Sequence, residues 1–328
     1  MIATDNLVIG AGISGAVIAR LVAESGEKVL IVDKKDHIAG NCYDYIDGNG
    51  ICIHKYGSHI FHTNNEKIWN FLQRFTDFNT YMHKVVALID GTETTIPFNI
   101  NTLHDVLPQS LARRLEKKLL VIFSYGKKIA ISDFLQQEDN DLKFLAIYVY
   151  EKIFQEYSQK QWGQIPDSAV TARVPIYISR DNRYFQDKYQ GIPQNGYTKM
   201  IEKMLDHPNI ELVLNRPFKG IDHKDEMAFS SMIRNNVKIF HTGSIDEFFD
   251  YRFGQLPYRS VNFKFETHNK EFYQSNSVVN YPCNYDFTRI HEYKYYLGDK
   301  STRTIIAKEY AEEFEPGKNE RYYPIANV

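Results

Sequence analysis

The 328-residue sequence has no apolar run near the roughly 20 residues that a membrane-spanning helix needs, and it carries only three cysteines, Cys42, Cys52 and Cys283. An odd number of thiols without metal-ligand spacing is poor material for a disulfide framework or a structural zinc site. Reduced thiols in a cytoplasmic protein are the expectation. Net charge is missing too. Lys and Arg number 39 against 41 Asp and Glu, leaving −2, so no global field favours nucleic acid or an acidic membrane. Any anionic ligand must be met by local cations. The apolar N-terminus is interrupted by Asp5 and a glycine turn where a signal peptide would place basic residues and a cleavage site, and it reads as a buried strand. Repeats, low-complexity linkers, a Ser-His-Asp arrangement and paired catalytic carboxylates are all lacking. Aromatics are plentiful, with 23 Tyr and 21 Phe; much of this is core, but tyrosines also suit stacking on sugars and bases.

The richest stretch is the opening. An apolar run, Leu7-Val8-Ile9, feeds Gly10-Ala11-Gly12-Ile13-Ser14-Gly15, followed by a helical pattern with Val17, Ile18, Leu21 and Val22 on one face. Lys28-Val29-Leu30-Ile31-Val32 then reads as a second buried strand ending on Asp33. Strand, Gly-x-Gly-x-x-Gly turn, helix, strand and acid together form the dinucleotide fingerprint in its required context. Gly10 permits the turn, Gly12 lets backbone approach a pyrophosphate, and Gly15 allows close helix–strand packing. The helix N-terminus offers N–H groups to the phosphates, and Asp33 stands at the reach of a ribose hydroxyl.

Beyond it, 37–57 is polar and turn-rich around Asp47-Gly48-Asn49-Gly50, and helical periodicity returns at Ile68, Trp69, Leu72 and Phe75. Residues 84–98 read as a hairpin about Asp90-Gly91. The stretch 102–162 is mostly helical, most clearly at Leu142, Leu145, Ala146, Val149 and Ile153. Residues 181–196 are loop-like. A helix at 198–205 and a strand at 210–214 return the chain to the first sheet. Ser244-Ile245-Asp246-Glu247 has a capping-box pattern. Val261, Phe263 and Phe265, then Val278-Val279, then Thr304-Ile305-Ile306 suggest antiparallel strands. His59 and His62 have a spacing that suits a metal pair, but no third ligand accompanies them, so no metal is expected.

Several segments together resemble the UDP-galactopyranose mutase family. They are Gly10 to Gly15; Asp33 through Ala39-Gly40-Asn41; Tyr56-Gly57-Ser58-His59-Ile60-Phe61-His62-Thr63; Tyr157-Ser158-Gln159-Lys160-Gln161-Trp162-Gly163; and Thr171-Ala172-Arg173-Val174-Pro175. The series continues with Asp181-Asn182-Arg183-Tyr184-Phe185, Gly191-Ile192-Pro193, 242–260 (TGSIDEFFDYRFGQLPYRS), Val279-Asn280-Tyr281, Thr288-Arg289 and Tyr322-Tyr323-Pro324. These follow family order over essentially the whole chain.

The resemblance implies a cytoplasmic, FAD-dependent isomerase that interconverts UDP-galactopyranose and UDP-galactofuranose for galactofuranose-containing surface polysaccharide. In the family, N5 of reduced FAD attacks the anomeric carbon, expels UDP and forms a flavin–sugar adduct. Such covalent catalysis by a cofactor leaves the protein with placement and charge management. By the same resemblance, Arg173 (on a mobile loop), Arg289 and His59 carry catalysis. Gly10, Gly12, Ile13, Gly15, Asp33, Lys34, Asn41, His59 and Ile60 hold FAD. His83, Tyr157, Trp162, Arg173, Tyr184, Asn280, Arg289 and Tyr323 hold the substrate. His62 is expected to be structural, and the family suggests a homodimer. Two guanidiniums match a diphosphate better than two lysines, since each binds two oxygens at once.

The implied fold is α/β: an FAD-binding Rossmann-like domain (1–80 and 197–243), a helical domain with the substrate loop (101–196), and an antiparallel sheet domain (81–100 and 244–328). The sequence departs from the family at three places. It ends at Ala326-Asn327-Val328, where the family continues with a segment over the flavin, whose packing would otherwise cover a sheet edge. The connection between Trp162 and Arg173 is shorter, and Tyr177 stands where many members carry a basic residue. A shortened, flavin-poor inactive relative and an FAD-dependent oxidoreductase are the alternatives.

Overall fold

A computed structural model of the chain describes residues 4–163, 175–218 and 233–325. It divides into two compact units, one of Met1–Thr80 with Lys188–Leu256 and one of Tyr81–Asp187 with Pro257–Val328.

The first unit is built on a four-stranded sheet in the order Ile210–Val213, Val29–Val32, Thr4–Ile9, Ile233–His241, every neighbour parallel. Val29–Val32 is apolar and buried throughout, as a strand covered on both faces must be. Leu7, Ile9, Leu30 and Val32 form one core cluster, with Val213, Phe218 and Val237 against it. The helix Ile13–Glu24 buries Ala16, Ala19 and Ala23; these small side chains let it lie close to the sheet. The register sets Ile9, Val32, Val213 and His241 level. Gly10, Asp33 and Thr242 therefore meet at the carboxyl end of the strands, where open α/β sheets bind ligands.

Two short pairs complete this unit, Asp44–Ile46 with Cys52–His54 and Phe61–Thr63 with Tyr189–Gly191; the latter places a strand within the stretch read as loop. The helix Tyr197–Leu205 starts at Gly196, and Asp44 supplies its cap by accepting from the Tyr197 N–H (2.5 Å) and the Thr198 N–H (2.9 Å). The Ser244 pattern does open a helix, Ile245–Phe248, but not through a capping box. The Ser244 hydroxyl bonds the Glu247 carboxylate instead, and Glu247 is drawn towards Lys34 Nζ at 3.1 Å.

The second unit carries a seven-stranded sheet in the order Tyr323–Pro324, Tyr258–His268, Thr304–Glu313, Arg289–Glu292, Val278–Asn280, Val85–Ile89, Thr92–Ile96. All pairings are antiparallel except Val278–Asn280 with Val85–Ile89. The expected hairpin turns at Asp90 (φ 48°) and Gly91 (φ 82°), the left-handed pair that a two-residue hairpin loop requires. A helical layer covers the sheet, with Leu142, Leu145, Ala146 and Val149 fully buried.

The helical stretch is more divided than its periodicity suggests. Helices Ile100–Val106, Gln109–Phe123, Ile131–Leu135 and Asn140–Val149 are separated by breaks at Leu107-Pro108 and at Ser124 to Gly126, and a strand Lys128–Ala130 pairs with Pro175–Tyr177. Tyr150–Gln155 is a π-helical turn leading into a last α-helix, Glu156–Trp162. Residues 1–3, 164–174, 219–232 and 326–328 lie outside the described residues, and Arg173 with them.

Candidate functional site

The nucleotide end of the first unit rests on three glycines with different jobs. Gly10 has φ 104°, and a Cβ there would sit 2.3 Å from Thr242 Oγ1. A Cβ on Gly15 would lie 1.8 Å from the Gly10 carbonyl oxygen, so only glycine lets the helix pack on the turn. Gly12 is different. Its backbone is extended (φ −73°, ψ −176°), and an added Cβ would meet Gly40 Cα only at 3.7 Å. Among the described residues, nothing demands glycine there. Gly12 and Gly40 face each other at the mouth of the Ile13–Glu24 helix, whose first turn has neither a side-chain cap nor an acidic residue. Uncapped N–H donors beside a cleared backbone fit the pyrophosphate of a dinucleotide.

The surrounding residues hold this mouth. The Asp33 carboxylate accepts from the Ala11 N–H (2.6 Å) and the Lys35 N–H (2.8 Å), joining the two loops. Asn41 Oδ1 accepts from Lys35 Nζ at 3.2 Å, and that ammonium lies 4.0 Å from the centre of the Tyr56 ring. Ile13 begins the helix, and Lys34 pairs with Glu247 on the surface. His59 donates its backbone N–H to His54 Nδ1 (3.1 Å), and its own Nδ1–H donates to the Gly57 carbonyl (2.9 Å). Ile60 follows it half-buried, while His62 is exposed.

Asp44, Cys52 and His54 bring three potential ligand atoms within 4.8 Å of one another. Asp44 is occupied as a helix cap and His54 Nδ1 by the His59 amide. Asp44 thus caps a helix, and His54 anchors the loop that carries His59.

The second unit brings the expected substrate residues Asn280 and Arg289 together by register. Asn280, Arg289, Glu309 and Phe263 fall in one row across four neighbouring strands. Cross-strand neighbours of this kind are the closest contacts a sheet offers. Arg289 Nε lies 3.1 Å from Glu309 Oε1 but points off the line of a hydrogen bond and is buried. Among the described residues, no hydrogen bond is made by its Nη1 or Nη2, and the side chain keeps 23% of its surface exposed. Tyr157 packs against the guanidinium, 5.7 Å from ring centre to Cζ. Trp162 meets Tyr323 edge-on at 5.9 Å. Burial pushes the Tyr157 and Tyr323 hydroxyls up, so both stay protonated and can donate to an anion. Asn280 Oδ1 is buried without a hydrogen-bond partner among the described residues, and a buried acceptor of this kind can take a donor from a ligand. His83 is buried against Tyr184 and Phe185, with Tyr81 Oη 3.1 Å from its Nδ1.

Arg289, Tyr157, Tyr184, Tyr323, Trp162 and Asn280 thus share the second unit, with His83 at the Tyr184 edge. The residues expected to hold the cofactor all lie in the other unit. Sequence reasoning missed Glu309, His291, Thr288 and Lys160. The Lys160 ammonium contacts the carbonyls of Tyr281 (2.5 Å), Tyr285 (3.1 Å) and Phe287 (3.3 Å). Its place in the Ser158 to Trp162 motif was the available signal.

Together these features define a protein with a Rossmann-like dinucleotide-binding unit and a second unit that presents a strand-borne arginine among aromatic residues. Comparison with known proteins narrows the class. The UDP-galactopyranose mutase family model matches residues 152–328, and an NAD(P)-binding Rossmann-like domain model matches residues 8–75. The chain is 36% identical to dTDP-fucopyranose mutase of Escherichia coli over 329 residues, covering 98% of this chain and 85% of that one. It is also 36% identical to UDP-galactopyranose mutase of Mycoplasma genitalium over 336 residues, covering 99% and 83%. The crystal structure of reduced UDP-galactopyranose mutase shares the fold with a TM-score of 0.64 at 16% identity, covering 99% of this chain and 75% of that one. An oxidoreductase from Methanosarcina mazei does so with a TM-score of 0.58 at 11% identity, covering 95% and 79%. The chain belongs to the UDP-galactopyranose mutase family, a family of isomerases.

Proposed function

We propose that this chain interconverts UDP-galactopyranose and UDP-galactofuranose with reduced FAD, supplying galactofuranose for surface polysaccharide. The observation that carries the reading is Arg289, paired with Glu309 through Nε and set against the Tyr157 ring, with terminal nitrogens that make no hydrogen bond among the described residues, in a chain of this family. Gly10, Gly12, Ile13, Gly15, Asp33, Lys34, Asn41, His59 and Ile60 would hold the dinucleotide. When bound, the reduced isoalloxazine supplies the nucleophile that displaces UDP from the anomeric carbon. The protein's share is charge management. Arg289 binds two diphosphate oxygens and stabilises the negative charge that grows as UDP leaves. Tyr184 and Tyr323 donate hydrogen bonds to the same oxygens, Tyr157 stacks on the base, and Asn280 and His83 fix the nucleoside. Arg173 would add the second guanidinium.

Purified protein reduced with dithionite is expected to convert UDP-galactopyranose to the furanose form, followed by chromatography of the nucleotide sugars. Arg289→Ala should lower turnover by about 10²–10³-fold with flavin content unchanged. Colourless protein without product would sink the reading, and hydrogen peroxide formation would point to an oxidase. The Escherichia coli relative supports one competing substrate, dTDP-fucopyranose; running both nucleotide sugars in the same assay decides between them.

A further inference from the structure

Arg289 does not stand on its strand unaided. Glu309 is directly opposite it on the neighbouring strand, and His291, two residues along, lies on the same face. The Glu309 carboxylate accepts hydrogen bonds from the Thr288 hydroxyl at 3.0 Å on Oε1 and from His291 Nε2 at 2.9 Å on Oε2, and it forms an ion pair with Arg289, whose Nε lies 3.1 Å from Oε1 without hydrogen-bond alignment. Thr288 also bonds the Glu309 backbone carbonyl (3.1 Å), and its own N–H donates there at 2.8 Å. Glu309 and His291 side chains are each only 4% exposed, and Phe263 closes the row edge-on against the His291 ring at 5.9 Å. A carboxylate this deeply buried is an acceptor only, so neutral His291 must carry its proton on Nε2.

We infer that Glu309, locked by Thr288 and His291, is the positioning residue for Arg289: it holds the buried Nε edge of the guanidinium and leaves both terminal nitrogens for the diphosphate. An arginine without such a partner would swing among rotamers and lose the paired geometry that makes it better than lysine for two oxygens. The buried pair also supplies the counter-charge that lets a guanidinium stay desolvated before any ligand arrives. Glu309 touches no substrate in this scheme and acts through Arg289.

The inference rests on reading Arg289 as the diphosphate-binding cation, and the test separates the two. UDP and uridine are titrated against the flavin-loaded full chain and its variants, uridine having the base and ribose but no phosphate. Glu309→Gln should weaken UDP binding about ten-fold or more while uridine binding stays within about two-fold of the parent. Adding Arg289→Ala to Glu309→Gln should cost little further, because the two act as one unit. Should Glu309→Gln fail to fold, Thr288→Val keeps the charge and removes one restraint, and about three-fold weaker UDP binding with unchanged uridine binding is expected. Unchanged UDP binding in these variants, when Arg289→Ala does weaken it, overturns the inference alone. A parallel loss of UDP and uridine binding also overturns it, because that marks general damage. Unchanged UDP binding in Arg289→Ala overturns the reading of the site and the inference with it.

Discussion

Gly12 and Gly15 look equivalent in a sequence motif, yet the structure gives them separate reasons. A methyl group on Gly15 would press into the Gly10 carbonyl at 1.8 Å, while one on Gly12 would find ordinary contact distance to Gly40. Gly15→Ala must therefore strain the fold itself, and Gly12→Val must chiefly fill the space a pyrophosphate needs. Gly12→Val is expected to keep the parent melting temperature of the flavin-free protein within a few degrees and to lose bound flavin. Gly15→Ala is expected to lose both flavin and about 2–4 kcal/mol of stability. Flavin absorbance per polypeptide, read beside a thermal melt of the stripped protein, separates them. Equal melts for the two variants would show that Gly12 is also a packing glycine.

At the scale of elements, much was written in local pattern. The buried strands of the fingerprint, the Asp90-Gly91 hairpin and the apolar face of Asn140–Val149 all depend on residues near one another in sequence, and all three formed as expected. What escaped notice depends on pairing between strands. Glu309 meets Arg289 only because Thr304–Glu313 lies beside Arg289–Glu292 in one register, and a one-residue slip would turn it to the opposite face. The π-helical turn at Tyr150–Gln155 was equally hidden, since one inserted turn of i to i+5 bonding leaves no mark in the residue types. Lys160 illustrates how elements are joined. Near the end of the Glu156–Trp162 helix, it ties three carbonyls of the connection leading to Arg289, and burial pushes its pKa down. Lys160→Met keeps the stem but strands those carbonyls, so stability should fall by about 2–4 kcal/mol, with UDP affinity falling alongside and flavin content unchanged. Thermal melts paired with UDP titration test this, and a stable variant that binds UDP normally would refute the tie.

For the whole molecule, acid should be the sensitive direction, and its main cause lies in the second unit. Burial alone would raise the Glu309 carboxyl, but the Arg289 guanidinium and the His291 hydrogen bond outweigh it and hold the group at about 2, against an ordinary 4.5. A depressed acid contributes stability that is complete above its unfolded value and fades as pH falls from about 4.5 through about 2. Burial pushes the His291 imidazole below its ordinary 6.5, with Glu309 opposing, so charging it in the unfolded chain adds an earlier loss of the same sign as pH drops below 6.5. In Glu309→Gln the titrating carboxyl is gone. The stability difference between parent and variant should therefore be largest above pH 4.5, on the order of a few kcal/mol, and shrink towards zero near pH 2, where the protonated glutamate and the glutamine are alike. Added salt should leave this difference nearly intact because the pair is buried, whereas it weakens exposed pairs such as Lys199–Glu202. Chemical denaturation of both proteins across that pH range is the measurement. A difference that does not change with pH would mean that the Glu309 charge contributes nothing to the fold, and that the carboxylate seated beneath Arg289 is there for geometry alone.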